Sequence, residues 1–104
     1  MNDSQYHQLA DDLLNQLQDN IDEIDFDLDY ETAGGILEVI FPNGTKIIIN
    51  KQAPLHQIWV ATKFNGHHFE YKDGVWIDNR TDVELFTLLN DAGTKQAGTA
   101  ISFS

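Results

Sequence analysis

The chain has no cysteine, and only six of its 104 residues are Lys or Arg. Without cysteine there is no disulfide framework, no thiolate zinc site and no cysteine nucleophile. No apolar run approaches the roughly 20 residues that span a bilayer, and the N-terminus shows neither the basic region nor the apolar region of a signal peptide. We therefore expect a soluble, cytoplasmic protein. A hydrophobic content of 41% then predicts one globular domain over residues 1–104.

The few basic residues are also unevenly placed, since none precedes Lys46. Ten of the seventeen acids lie in the first 31 positions, so −10 of the net charge of −11 is concentrated there. This charge argues against binding to nucleic acid or to an anionic membrane, because both would be repelled. Concentrated like charge also destabilises a compact fold. The acidic segment is therefore the first candidate for function, as a surface for cations or for a basic partner.

Two helices are predicted from the spacing of apolar residues. Steps of three and four run from Tyr6 to Ile21 and predict an amphipathic helix over 4–21, with Ser4 or Asp3 as its N-cap. Near the other end of the chain, Thr81-Asp-Val-Glu84 has the pattern of a capping box that opens a second helix. The apolar tail Ile101-Ser-Phe103 is expected to pack against the core.

Between the helices the pattern changes to a period of two. In 24–31 the apolar residues alternate strictly with acids, which predicts a strand with one acidic face. Asn43-Gly44 and Asn65-Gly66 indicate hairpin turns, and Asp73-Gly74 indicates a third turn. The order is α-β(5–6)-α, so we predict an α+β fold in which two helices pack on one face of a five- or six-stranded antiparallel sheet.

The acids of the alternating segment do not form an EF-hand. Counting from Asp25, positions six and twelve are Tyr30 and Ile36, where that loop requires Gly and Glu. On a strand the carboxylates would stand about 7 Å apart, from a rise of about 3.4 Å per residue. Such a row offers weak, exchangeable contacts to hard cations such as Fe2+, Fe3+, Mn2+, Co2+ or lanthanides. The alternative is a solvated acidic face with no ligand.

Two further groups of residues are candidates for binding. His7 lies one helical turn from both Asp3 and Asp11, which allows an imidazole–carboxylate metal site; the alternative is a solvated surface histidine. Asn50, Gln52 and Trp59 are predicted to form an exposed polar and aromatic patch of the kind found in protein interfaces, beside Gln57 on the same face. Alternatively, the tail or a helix covers Trp59. Trp76 is expected in the core.

No catalytic constellation is present. The chain has no Ser-His-Asp order and no Gly-rich phosphate loop. An iron-oxidising or storage enzyme would need a buried di-iron site, and no Glu-x-x-His pair occurs. The sequence thus favours a protein that is not an enzyme.

Several segments together resemble the bacterial frataxins. They are Asn43-Gly44-x-Lys46-Ile-Ile-Ile-Asn50-x-Gln52-x-Pro54, Gln57-Ile-Trp59-Val-Ala61, Gly66-x-His68-Phe69, Trp76, and a last helix with Glu84 and Leu88-Leu89. The resemblance runs over nearly the full length and implies the frataxin α/β sandwich. It also implies a role in iron–sulfur cluster assembly, as an iron-binding regulator or adaptor that docks on the cysteine desulfurase.

The resemblance further assigns roles to particular residues. Weak iron binding is implied at Asp19, Asp22, Glu23, Asp25, Asp27, Asp29 and Glu31. Partner contact is implied at Asn50, Gln52 and Trp59, together with Asp22 and Glu23. The scaffold protein of cluster assembly is a further expected partner, and we expect a monomer that metal converts to oligomers. The alternative is a purely protein-binding acidic module that modulates the desulfurase, with metal binding incidental.

Overall fold

A computed structural model describes all residues, 1–104, as two helices and one sheet. The elements are α1 (Asp3–Asp22), β1 (Asp29–Ala33), β2 (Ile36–Ile40), β3 (Lys46–Gln52), a short 3₁₀ turn (Ala53–Leu55), β4 (Gln57–Ala61), β5 (Gly66–Lys72), β6 (Val75–Asp78) and α2 (Leu85–Ala97). The six strands are antiparallel neighbours in chain order, so β1 and β6 are the two edges. The predicted α+β fold is confirmed, with six strands. Neither helix is both long and apolar enough to cross a bilayer.

One face of the sheet forms the core with both helices. Twenty buried apolar residues make a single cluster, which includes Tyr6 and Leu17 of α1 and Leu85 of α2. In β3, Ile47 and Ile49 are buried, whereas Ile48 between them is 37% exposed. This alternation leaves the other face of the sheet, which we call the open face, without a helix over it. Trp76 is buried, as predicted.

The predicted strand at 24–31 is wrong in its first half. The ladder with β2 begins only at the Asp29–Ile40 pair, because β2 ends there and the chain turns at Phe41. Residues 24–28 therefore have no strand to pair with and form a loop. The predicted alternation of burial is nevertheless present: Ile24, Phe26 and Leu28 pack against the core and the acids between them are exposed.

Both predicted N-caps are also wrong. At α1 the cap is Asn2, whose side chain accepts from the backbone N–H of Gln5 at 2.8 Å while the Gln5 side chain accepts from the N–H of Asn2 at 3.0 Å. At α2 the cap is Glu84, whose carboxylate accepts from two backbone N–H groups. Thr81 instead donates to Asp78 at 3.1 Å, and the positive φ of Asp82 keeps the chain out of a helix there.

The cap of α1 gives a matched pair of substitutions. Replacing Asn2 by Ala is expected to lower the unfolding free energy by about 1 kcal/mol, because it leaves the Gln5 N–H without its acceptor. Ser4→Ala, at the position that the sequence pattern favours, is expected to change it by less than about 0.5 kcal/mol. Urea unfolding of both variants measures the difference. Equal effects would contradict the capping role of Asn2.

The C-terminal tail packs as predicted. Ile101 and Phe103 are buried, and the helix before them ends at Ala97 with Gly98 in the left-handed conformation (φ 73°). The tail is also held through its backbone, since Asn20 donates to the carbonyl of Phe103 and Asn90 accepts from its N–H, both at 2.7 Å. The tail therefore ties the end of α1 to α2.

Candidate functional site

The acidic segment folds into a continuous exposed surface, which we call the acidic ridge. It consists of Asp19, Asp22 and Glu23 at the end of α1, Asp25 and Asp27 in the loop, and Asp29 and Glu31 on the edge strand β1; all seven are exposed. The last turn of α1 contains no basic residue. Because the C-terminal end of a helix carries partial negative charge, the helix adds to the negative potential of the ridge.

No basic side chain forms an ion pair with the acidic ridge. The protein has six ion pairs, and none of them includes a ridge residue. Lys46 pairs instead with Glu38 at 2.6 Å, and this bond is the main reason that its pKa is raised, with a smaller contribution from the charge of Glu31. The ridge is therefore a cluster of charge whose counter-charge must come from outside the chain.

The pKa of Tyr30 reflects the negative charge of the ridge around it. Its hydroxyl donates to the Asp22 carboxylate at 3.2 Å. This hydrogen bond, followed by partial burial and the charges of Asp22, Asp19 and Asp29, raises the pKa of Tyr30. Each electrostatic cause acts in the same direction, because every one of them disfavours a further negative charge.

The carboxylate oxygens of the ridge suit hard cations, each bound through only a few contacts. The structure contains no group of three or more His, Asp or Glu side chains arranged to hold a metal ion. The ridge instead presents single exposed carboxylates along a helix end, a loop and a strand edge. Such oxygens can contact a cation that keeps most of its water. Metal binding by individual ridge residues remains a prediction.

Asp3, His7 and Asp11 do not form a preassembled site. Asp3 accepts from His56 Nε2 at 2.7 Å, and Asp11 accepts from Lys51 Nζ at 2.7 Å. The hydrogen bond to His56 and the charge of that ring lower the pKa of Asp3. Both partners come from the segment around β3 and the 3₁₀ turn, which packs against α1. Spacing along the helix could not reveal them, because they lie 53 and 40 residues away in sequence.

The predicted partner patch lies together on the open face. Asn50 of β3 is the direct cross-strand neighbour of Trp59 on β4, and Gln52 is the neighbour of Gln57. Trp59 in turn pairs with His68 of β5. Partial cover of Trp59 comes from the His68 ring, which stacks on it. A shallow depression of about 190 Å³ lies beside Trp59 and Asn50.

Gln57 departs from the prediction, because it is only 7% exposed. Its side chain accepts from Trp59 Nε1 at 2.8 Å and donates to Glu70 at 2.9 Å. Its backbone carbonyl accepts from the Tyr6 hydroxyl at 2.7 Å. Alternation placed Gln57 on the correct face, but its hydrogen-bond partners are Trp59 on its own strand, Glu70 on β5 and Tyr6 on α1.

Comparison with known proteins gives consistent matches. Residues 1–99 match the family model described as a frataxin-like domain. A curated relative from Pseudoalteromonas atlantica (strain T6c / ATCC BAA-1087), named iron-sulfur cluster assembly protein CyaY, is 64% identical over 103 residues, which are 99% of this chain and 95% of the relative.

Solved structures agree with the sequence matches. Frataxin from Psychromonas ingrahamii superposes with a TM-score of 0.92 at 46% identity, covering 100% of this chain and 99% of that one. A trimeric frataxin from the yeast Saccharomyces cerevisiae, complexed with ferrous iron, gives a TM-score of 0.74 at 30% identity, covering 86% of each chain. With the family model matching nearly its whole length, this chain belongs to the frataxin family.

Proposed function

We propose that this protein is a cytoplasmic, non-enzymatic regulator or adaptor of iron–sulfur cluster assembly. It binds Fe2+ and Fe3+ weakly on the acidic ridge and docks on the cysteine desulfurase. Membership of the frataxin family supports the assembly role, as does the 64% identical relative that carries this role in its name.

The observation that carries the proposal is the uncompensated acidic ridge. Seven exposed carboxylates lie beside a negative helix end, and none of the six ion pairs of the protein reaches them. A fold bears such repulsion at a loss of stability, and a cation or a basic surface removes it. Both ligands of the proposal supply positive charge, so both suit the same surface.

Iron would be bound here as cargo, through one or two carboxylates per ion. Ferrous iron, Co2+, Mn2+ and lanthanides all accept oxygen ligands in open geometry, so the last three serve as surrogates. The yeast frataxin complexed with ferrous iron is trimeric. We propose that the present protein is a monomer without metal and that metal bridging between ridges produces oligomers.

A second candidate is a purely protein-binding module in which metal binding is incidental. The absence of any preassembled group of three metal ligands favours it. In this case the ridge meets a basic surface of the desulfurase. In both candidates Asn50, Gln52 and Trp59 contact the desulfurase, and the scaffold protein is a further partner. The two candidates differ in whether iron changes the effect of this protein on its partner.

Metal binding is tested by NMR under anaerobic conditions. Adding Fe2+ or Co2+ is expected to broaden the signals of residues 19–31 first, because these carry the ridge carboxylates. Raising the salt concentration from about 0.01 M to 0.15 M shortens the screening length from about 30 Å to 8 Å and should weaken binding severalfold. Broadening centred on His67 and His68, or binding that is insensitive to salt, would contradict the ridge as the metal site.

Partner docking is tested with charge-matched variants. Asp22→Lys and Glu23→Lys are each expected to abolish capture of the desulfurase, even with a chelator present, because each reverses a charge in the centre of the ridge. Asp91→Lys changes the net charge equally on the exposed face of α2 and should bind as the wild type does. Desulfurase activity is then titrated with the wild-type protein, with and without iron. An effect that is independent of iron favours the purely protein-binding module, and full binding by the ridge variants would refute direct docking.

A further inference from the structure

Trp59, on the open face, is held from two directions although it lies at the surface. Its ring stacks on His68 with a centroid distance of 4.2 Å and an interplanar angle of 10°. Its Nε1–H donates to Gln57 Oε1 at 2.8 Å. One contact fixes the face of the indole and the other fixes its edge, so together they restrict both side-chain torsions.

The hydrogen bond between Trp59 and Gln57 is itself fixed by a further residue. Gln57 Nε2 donates to Glu70 Oε2 at 2.9 Å, which turns the amide so that its oxygen meets the indole N–H. Gln57 is 7% exposed and cannot rotate freely to water. Glu70, Gln57 and Trp59 thus form a directed chain of hydrogen bonds across β5 and β4.

A preordered aromatic side chain is an efficient anchor for a protein partner. Ordering a flexible side chain at an interface opposes binding, and a side chain that is already ordered avoids this loss. Tryptophan is also the residue type most often found to dominate interface energetics. The Trp59 N–H has its acceptor within the protein, so docking a partner over the ring does not leave a polar group unpaired.

We propose that His68 and the Gln57–Glu70 pair are positioning residues that hold Trp59 ready as the anchor for the cysteine desulfurase. This inference rests on the proposed docking role of the Asn50, Gln52 and Trp59 patch. It adds His68 and Glu70, which the sequence pattern does not assign to that patch, and it gives a positioning role to Gln57, which the pattern places beside it. The physical basis is that stacking on His68 and the hydrogen bond to Gln57 order the indole before a partner arrives.

The ordering of the Trp59 side chain by His68 is tested first in the free protein, where no partner is needed. His68→Ala is expected to increase the mobility of the Trp59 indole, measured by 15N relaxation of its Nε1–H group, whereas His68→Phe should retain the order because it keeps a stacked ring. The buried Trp76 supplies an internal control signal that neither substitution should change. An indole that stays equally ordered in His68→Ala would overturn the role of His68.

Binding to the desulfurase, alone and with the scaffold protein, is the second test. His68→Ala is expected to weaken binding about two- to tenfold, which corresponds to the loss from ordering one side chain. His68→Phe should bind within about twofold of the wild type, because it keeps a stacked ring on Trp59. Glu70→Ala, which removes the acceptor for Gln57 Nε2, should weaken binding in the same direction as His68→Ala. His7→Ala, at an exposed histidine on α1, is the control for the loss of a surface histidine and should bind as the wild type does.

Trp59→Ala separates failure of the inference from failure of the proposed docking role. It is expected to weaken binding about 30-fold or more. If it does so while the His68 and Glu70 variants bind as the wild type does, the positioning role is refuted and the docking patch stands. If Trp59→Ala itself binds normally, the docking role of the patch is refuted, and the anchor with it.

Discussion

Replacing Phe103 by Ala is expected to lower the unfolding free energy by about 3–5 kcal/mol. Phe103 is 1% exposed and lies against Gly93 of α2, while its backbone is bonded to Asn20 and Asn90. Removing the ring leaves a cavity between the helices that these backbone bonds prevent from closing. Urea unfolding measures the loss. Phe64→Ala, at a side chain that is 51% exposed, is the control and should change stability by less than about 1 kcal/mol.

A double-mutant cycle with Gly93 tests the cause of this loss. A Cβ atom at Gly93 would lie 2.5 Å from Cε2 of Phe103, so Gly93→Ala alone should destabilise the protein by about 1–3 kcal/mol through overpacking. In the Phe103→Ala background the same substitution should stabilise it by up to about 1 kcal/mol, because alanine favours the helix and the space is empty. Additive effects of the two substitutions would contradict direct packing of the tail on α2.

Removing the Asp78 side chain is expected to have an effect of similar size. Asp78 is 1% exposed, and its carboxylate accepts from His67 Nδ1 at 2.7 Å, from the Arg80 N–H at 3.0 Å and from the Thr81 hydroxyl at 3.1 Å. Asp78→Ala leaves these three part-buried donors without their acceptor and should lower the unfolding free energy by about 3–5 kcal/mol. Asp91→Ala, which breaks an exposed ion pair with Lys95, should lower it by less than about 1 kcal/mol.

The contribution of Asp78 also has a defined dependence on pH. Burial by itself would raise the pKa of Asp78, but the hydrogen bonds from Arg80, His67 and Thr81 outweigh it and lower the pKa below its ordinary value of 3.8. A lowered folded pKa means that the stabilisation is complete above pH 3.8 and is lost as the pH falls through the folded value. The stability difference between the wild type and Asp78→Asn should therefore be constant above about pH 5 and shrink below pH 3.8. A difference that grows on acidification would contradict this assignment.

Local patterns in the chain predicted most of the fold. Apolar steps of three and four identified the buried face of α1, and Asn-Gly pairs identified the hairpin turns. Alternation at 24–31 predicted which side chains are exposed even where no strand forms. It failed to predict where β1 begins, because that boundary depends on the length of β2, and a ladder cannot extend beyond its partner strand.

The candidate site, like the fold, was predictable from the sequence only in part. The acidic ridge was predictable, since the charge density and the outward direction of its acids depend only on residues close together in the chain. The absence of any ion pair on the ridge could not be predicted from the sequence, because Lys46 and Lys51 reach Glu38 and Asp11 only in the folded protein. The contacts of His68 and Glu70 beside Trp59 could not be predicted from the sequence either, because the register of β4 with β5 sets them.

The sequence by itself determined the charge of this protein, its helical and extended segments, and the side of each segment that faces water. These properties depend on the periods of 3.6 and 2, which act within a few residues. Only the tertiary structure decided the side-chain partners: Asp3 with His56, Asn20 with Phe103, and Trp59 with His68. Strand register and helix packing set these contacts, and they join residues 53, 83 and nine positions apart, beyond the range of any local pattern.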